Sequence, residues 1–169
     1  MEPAPRSGRI LSAVAHAAER LLSAQNPRAV LPDVLRELGT AAGVSRVVLF
    51  ERTNGADTDP HITQVAEWAT SDLPDRSDDP SVHNLPMTAS GFGRWLGPLE
   101  RGEPMVGNVG DFPPREQAAL ARHRIQSVAV MPIRVQGRWC GFLSFDDCSD
   151  ARTWTDDELA AVQAAANII

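Results

Sequence analysis

Residues 128–154 read VAVMPIRVQGRWCGFLSFDDCSDARTW. Two β-rich apolar runs lie on either side of a Gln136-Gly137 turn, and a polar loop closed by Arg152-Thr153-Trp154 follows. Such a pair reads as a β-hairpin. Apolar residues occupy both parities of each run, so both faces of the hairpin are expected to be covered and the hairpin stands at the centre of a sheet.

Outward from this stretch the chain supplies the covering layers. Downstream, Thr155 and Glu158 form a capping box, which predicts a final helix carrying Leu159, Val162, Ala166 and Ile169 on one face. Upstream, residues 8–25 place Ile10, Val14, Ala17, Leu21 and Ala24 at helical spacing, with Ala13, Ala18 and Leu22 widening the stripe. Asn26-Pro27 opens a second helix that runs to Ala42 and stops at Gly43. A strand is expected over 45–52, a turn-rich connection over 54–60, and a paired strand over 62–70. Residues 71–89, rich in proline and aspartate and without periodicity, read as a long loop over one face of the sheet; loops of that length are usually functional. Ser90 is expected to cap a short helix that ends at Gly102, followed by a strand at 105–109 and a helix at 115–123. The first seven residues read as a disordered leader.

The run of Pro-Ile, a glycine turn, Trp, Gly-Phe, Phe-Asp-Asp and Arg-x-Trp resembles the last hairpin of GAF domains attached to bacterial sensor kinases and related signalling proteins. Gly43 to Val47, Arg94-Trp95 and Asp111-Phe112 stand in the same order as in that pattern. The resemblance covers nearly the whole chain, 8–169 forming one such domain. It implies an α+β, PAS-related antiparallel sheet with the terminal helices on one face and a loop-and-helix roof over the other. It also implies a regulatory sensor that binds a small-molecule effector and passes the signal to a domain such as a histidine kinase or diguanylate cyclase.

Composition narrows the choices independently. The chain has 169 residues, of which 43% are hydrophobic, and a net charge of −6. One domain with a proper core fits that length. All of its basic residues are arginine, and they are scattered, whereas a nucleic-acid surface needs a clustered basic face. No apolar run reaches membrane-spanning length and the N-terminus lacks a signal-peptide core, so a soluble, cytoplasmic protein is expected. The arginine-rich, lysine-free composition suits a GC-rich bacterial genome.

Catalytic chemistry is hard to find. His16, His61, His83 and His123 are dispersed and read as surface or loop residues, and no metal or cofactor site is expected. Asp146-Asp147 is the most suggestive acidic pair. Neighbours on a strand point to opposite faces, and Arg152 offers a salt bridge, so the pair reads as structural. Cys140 and Cys148 lack metal or disulfide spacing and are expected reduced. Some GAF relatives reduce free methionine sulfoxide with a set of cysteines, but two cysteines eight apart depart from that pattern. The absence of lysine removes the Asn-Lys signature of cyclic-nucleotide-binding GAF domains, and residues 71–125 offer no cysteine for covalent bilin. The chain is therefore expected to be catalytically silent.

What remains is a pocket between sheet and roof. Ser127 and Ser144 are polar residues inside apolar strands and need partners. Period-two alternation is taken to place Ala129, Met131, Cys140 and Phe142 beside them, with Trp139, Leu143 and Phe145 toward the terminal helices. Trp68, Phe92, Trp95 and Phe112 are expected in the roof and walls. Two alternatives stand beside the ligand sensor: a ligand-free dimerisation and transmission module, and the sulfoxide reductase. A homodimer is expected through the terminal helices, using one edge of the N-terminal helix and the Ala161-Ala165-Ile168 edge of the last.

Overall fold

A computed structural model describes residues 3–53 and 59–169. Six antiparallel strands form one sheet: β1 (Arg46–Arg52), β2 (His61–Ala69), β3 (Leu85–Pro86), β4 (Met105–Asn108), β5 (Ser127–Val135) and β6 (Arg138–Asp147), in the order β3-β2-β1-β6-β5-β4. The β5–β6 hairpin is central with β1, as the doubly apolar runs require. Helices α1 (Arg6–Ser23), α2 (Pro27–Ala42) and α5 (Asp156–Ile168) cover one face, burying Val34, Leu35, Leu38 and Val162 against Val47, Leu143 and Phe145. The other face is roofed by α3 (Gly93–Glu100), α4 (Pro114–Ala121) and the 71–92 excursion, which contains a 3-10 turn at Pro80–Val82 and the short strand β3. This is the expected α+β arrangement, an antiparallel sheet with the terminal helices on one face and a loop-and-helix roof on the other.

Local chemistry explains the element ends. Gly43 closes α2 at φ 67°, the left-handed conformation in which a Cβ is costly. At the start of α5 the Thr155 hydroxyl accepts from the Glu158 N–H while Glu158 accepts from the Thr155 N–H, so both capping bonds are present. Two expectations shift. Helix α1 begins at Arg6, inside the expected leader. Helix α3 begins at Gly93 after an N-cap at Phe92 that makes no side-chain bond, so Ser90 does not cap it. The expected 54–60 turn falls largely outside the described residues.

The terminal helices differ from expectation in one respect that matters for partners. Both apolar edges of α5 are consumed within the chain, with Ala161, Val162, Ala165 and Ala166 all 0–1% exposed against α1 and the sheet. The α5 edge assigned to a partner is therefore unavailable. On α1, by contrast, Ile10, Ala13 and Ala17 face inward, while Leu11 and Leu22 are 52% and 88% exposed.

Candidate functional site: a polar-ended cavity between sheet and roof

A cavity of about 420 Å³ lies between the sheet and the roof, within the size range of small-molecule sites. Its floor is made by Phe50, Ile62, Val128 and Phe142, and its roof by Val82, Met87, Phe92, Trp95 and Leu120. Register sets a polarity gradient along this floor. Phe50 pairs with Phe142 at one end, and four residues along each strand Arg46 pairs with Asp146 at the other. One end is thus aromatic and the other charged.

Directly paired residues in an antiparallel ladder share a face, and this decides where the expected site residues fall. Val130 pairs with Ser144, so Val128, Val130, Phe142 and Ser144 face the roof, and Ala129 and Met131 pack against the helices with Leu143 and Phe145. Assigning Ala129 and Met131 to the pocket face is off by one residue. Ser127 pairs with Asp147 and donates to the Asp150 carbonyl at 3.5 Å, away from the cavity. Between Ile133 and Arg134 the register slips, because Ile133 pairs with Gly141 and Arg134 with Trp139. Cys140 is the extra residue, and the bulge exchanges the two sides. Trp139 consequently joins the roof-side cluster, while Cys140 sits with Leu49, Ile133 and Ile169 at the helix-facing edge. Trp68 pairs with Val47 and faces the helices, where Gly39 of α2 leaves room for its ring. Of the ten expected residues, Phe92, Trp95, Phe142 and Ser144 line the cavity, and Phe112 stands behind Trp95 in an edge-on ring contact at 6.3 Å.

The roof aromatics are fixed by one buried carboxylate. Glu116 of α4, 2% exposed, accepts from Arg94 Nε at 2.9 Å, Arg94 Nη2 at 2.7 Å and Trp95 Nε1 at 2.9 Å. Phe92 packs edge-on to Trp95 at 4.8 Å. A buried carboxylate holding three donors is well satisfied, and it ties α3 to α4.

Of the polar end only Ser144 is among the expected residues. Arg46, Arg76 and Asp146 are 1%, 5% and 2% exposed. Arg76 Nε donates to Glu67 Oε2 at 2.8 Å, and Arg46 Nε lies 3.7 Å from the same oxygen. Arg46 Nη1 also donates to the His123 carbonyl at 3.2 Å. Ser144 Oγ donates to Asp146 Oδ1. Burial pushes the Asp146 carboxyl above its ordinary range, against the pull of Arg76 and the Ser144 hydrogen bond. His123 lines the cavity, with Ser81 Oγ 3.3 Å from its Nε2, rather than lying on the surface. Burial, reinforced by Arg76, holds its imidazole down at about 4, so it is neutral near pH 7. Asp147 points the other way, as expected for a strand neighbour, and caps the turn through Ser149 N and Asp150 N. Arg152 pairs with Glu158 at 3.7 Å and donates to the Ala42 carbonyl at 2.8 Å, so it ties α5 to α2 and is not hydrogen-bonded to the acidic pair.

The cysteines lie in different environments. Cys148 packs against the roof-side cluster, and burial pushes its thiol up to about 11. Cys140 is at the helix-facing edge. Among the described residues no group of histidine, cysteine, aspartate and glutamate is arranged to hold a metal ion.

Comparison with known proteins agrees with this architecture. The GAF domain family model matches residues 26–169. The methanogenesis regulatory histidine kinase FilI of Methanothrix harundinacea (strain 6Ac) is 34% identical over 161 residues, covering 95% of this chain and 18% of that kinase. The chain therefore spans about a fifth of that relative's length. Among solved structures, the phycocyanobilin-bound GAF domain from a cyanobacterial phytochrome superposes with a TM-score of 0.74 at 16% identity, covering 98% of this chain and 91% of that one. The chromophore-binding domain of the bacteriophytochrome RpBphP3 from R. palustris gives 0.73 at 12% identity, covering 95% and 60%.

Proposed function

The chain belongs to the GAF family, and on that premise we propose that it is a sensory module whose small-molecule effector occupies the sheet–roof cavity and whose output leaves through the terminal helices. The observation that carries this reading is a cavity of about 420 Å³ that is apolar at one end and holds buried arginine and aspartate at the other. Buried charges cost stability unless something repays them, and a ligand that pairs with them is such a repayment. A module that bound nothing would fill this space with its own side chains. The likeness to FilI supports a histidine kinase as the downstream domain, with a diguanylate cyclase as the other candidate.

A catalytic role is disfavoured by the cysteines. Free methionine sulfoxide reduction needs an attacking thiolate and a resolving partner. Cys148 is held protonated by burial, and the sheet lies between it and Cys140.

Binding to the native state alone raises stability by mass action. Protein purified without denaturation is expected to melt several degrees higher than the same protein unfolded, desalted and refolded, by about 4 °C or more. Adding back the low-molecular-weight extract of its source cells should restore the difference. Identical melting of the two preparations, with and without extract, would remove the support for an effector.

For output, the exposed face of α1 carries Leu11, Ala15, Ala18 and Leu22 at spacings of four, three and four, the period of a two-helix seam. We assign the homodimer contact to this seam, paired two-fold with a second copy. Because α1 packs on α2 and α5, and α5 on the sheet, a roof that closes on effector can bias the seam, provided the two arrangements differ in effector affinity. Light scattering should therefore give a dimer for the parent chain and a monomer for Leu22→Glu. Leu22 makes little contact within the chain, so the variant should unfold within about 0.5 kcal/mol of the parent. A parent that is monomeric at high concentration would dispose of the seam.

A further inference from the structure

The charged end of the cavity holds one guanidinium with an unused edge. Arg76 is 5% exposed and lines the cavity, and its Nε is committed to Glu67. Its Nη1 and Nη2 hydrogen-bond nothing among the described residues, and neither is sealed off from accessible space. A free pair of parallel N–H groups is the geometry that takes a two-oxygen planar acceptor.

Charge balance then limits the acceptor. Two buried guanidiniums, Arg46 and Arg76, share the single carboxylate of Glu67. The remaining acid, Asp146, lines the cavity in a setting where burial disfavours its ionisation. His123 contributes no cation near neutral pH. Among these buried groups about one positive charge is therefore left for a ligand; Arg115 and Arg122 also line the cavity, but both are exposed and water screens them. A phosphate dianion would bring excess negative charge against Glu67, whereas one carboxylate matches the balance.

Resting on the assignment of the cavity as the effector site, we infer that the effector is an organic monocarboxylate. Its carboxylate receives Arg76 Nη1 and Nη2 beside Ser144 and Asp146, and its apolar body lies between Phe50 and Phe142 on the floor and Phe92 and Trp95 on the roof. The aromatic end offers ring contacts to a flat or branched body, and the other cations on the cavity lining, Arg115 and Arg122, are exposed to water.

The test uses matched pairs in which one body carries either a carboxylate or a primary amide: phenylpropionate and phenylpropanamide, indole-acetate and indole-acetamide, octanoate and octanamide. Calorimetric titration of the whole chain, with phenyl phosphate alongside, reads the preference. The acids are expected to bind on the order of tenfold tighter than their amides, the worth of a charge-assisted hydrogen bond. In Arg76→Gln that preference should vanish while amide binding persists, which also reports an intact fold. Arg76→Lys keeps a cation against Glu67 but lacks the second edge, so it too should lose most of the preference. Amides that bind as tightly as acids, a tighter phenyl phosphate, or an acid preference that survives Arg76→Gln would each overturn the carboxylate and leave the cavity as a site for a different effector. If no member of any pair binds, the carboxylate falls, and the sensory reading is decided separately by the melting comparison of native and refolded protein.

Discussion

Gly141→Ala is expected to lower the unfolding free energy by at least about 3 kcal/mol, placing it among the rare severe point substitutions. Gly141 lies in β6 directly after the bulged Cys140, at φ 156°, paired with Glu51 of β1 on one side and Ile133 of β5 on the other. A Cβ there would collide with the Phe50 carbonyl oxygen and sit 3.1 Å from Glu51 Cα. Both obstacles are backbone of the central strand, which cannot swing aside as a side chain can. The sheet would have to open between β1 and β6 or give up the bulge. Urea denaturation followed by circular dichroism measures the loss. A midpoint within error of the parent would mean that the bulge relaxes freely and that the exchange of faces at Trp139 and Cys140 is not enforced by Gly141.

The second large effect is expected from Glu116→Ala, at about 2–3 kcal/mol. Trp95 Nε1 would be left buried without an acceptor, which costs about 1–3 kcal/mol. Two charge-assisted bonds from Arg94 would be lost as well, but the Arg94 side chain is 48% exposed, so water recovers much of that interaction. Arg94→Ala should accordingly cost about 1 kcal/mol or less, since Glu116 would still hold Trp95. The inequality between the two variants identifies the tryptophan bond as the dominant interaction. Equal costs would instead make the ion pair dominant. Because Trp95 lines the cavity, Glu116→Ala should also shift the tryptophan emission and weaken any cavity ligand, whereas Arg94→Ala should do neither strongly.

The fold was largely legible because the signals that specify it are local. Paired apolar runs around Gln136-Gly137, the capping box at Thr155 and the Gly43 stop each dictate an element without reference to distant residues, and their order leaves one layered arrangement. Faces were less legible, since they depend on register. A single extra residue at Cys140 exchanges the sides of Trp139 and Cys140, and alternation along one strand cannot reveal it. The pairing of Val130 with Ser144, which moves Ala129 and Met131 to the helices, is likewise a property of two strands. The coverage of α5 on both edges follows from α1 lying across it, which no periodicity in α5 encodes.

The charged end of the cavity was partly readable. The alternation that joins Phe142 to Ser144 also joins Asp146 to them, and the structural reading of Asp146-Asp147 passed over that consequence. Arg76 had no periodic signal, because it lies in a loop whose path is fixed by long-range bonds. Its anchor, Glu67, is a strand residue whose roof-facing side follows from its pairing with Val48. A buried arginine can be placed only once its acceptors are known, and these come from distant parts of the chain.

The central claim is that the sheet–roof cavity holds an effector, and native mass spectrometry of the folded chain after incubation with the small-molecule extract of its source cells tests it most directly. The account predicts a non-covalent adduct of small-molecule mass on the parent chain, lost when Ala119→Trp fills the cavity from α4. A parent chain without an adduct, or an adduct that persists unchanged in Ala119→Trp, would contradict it.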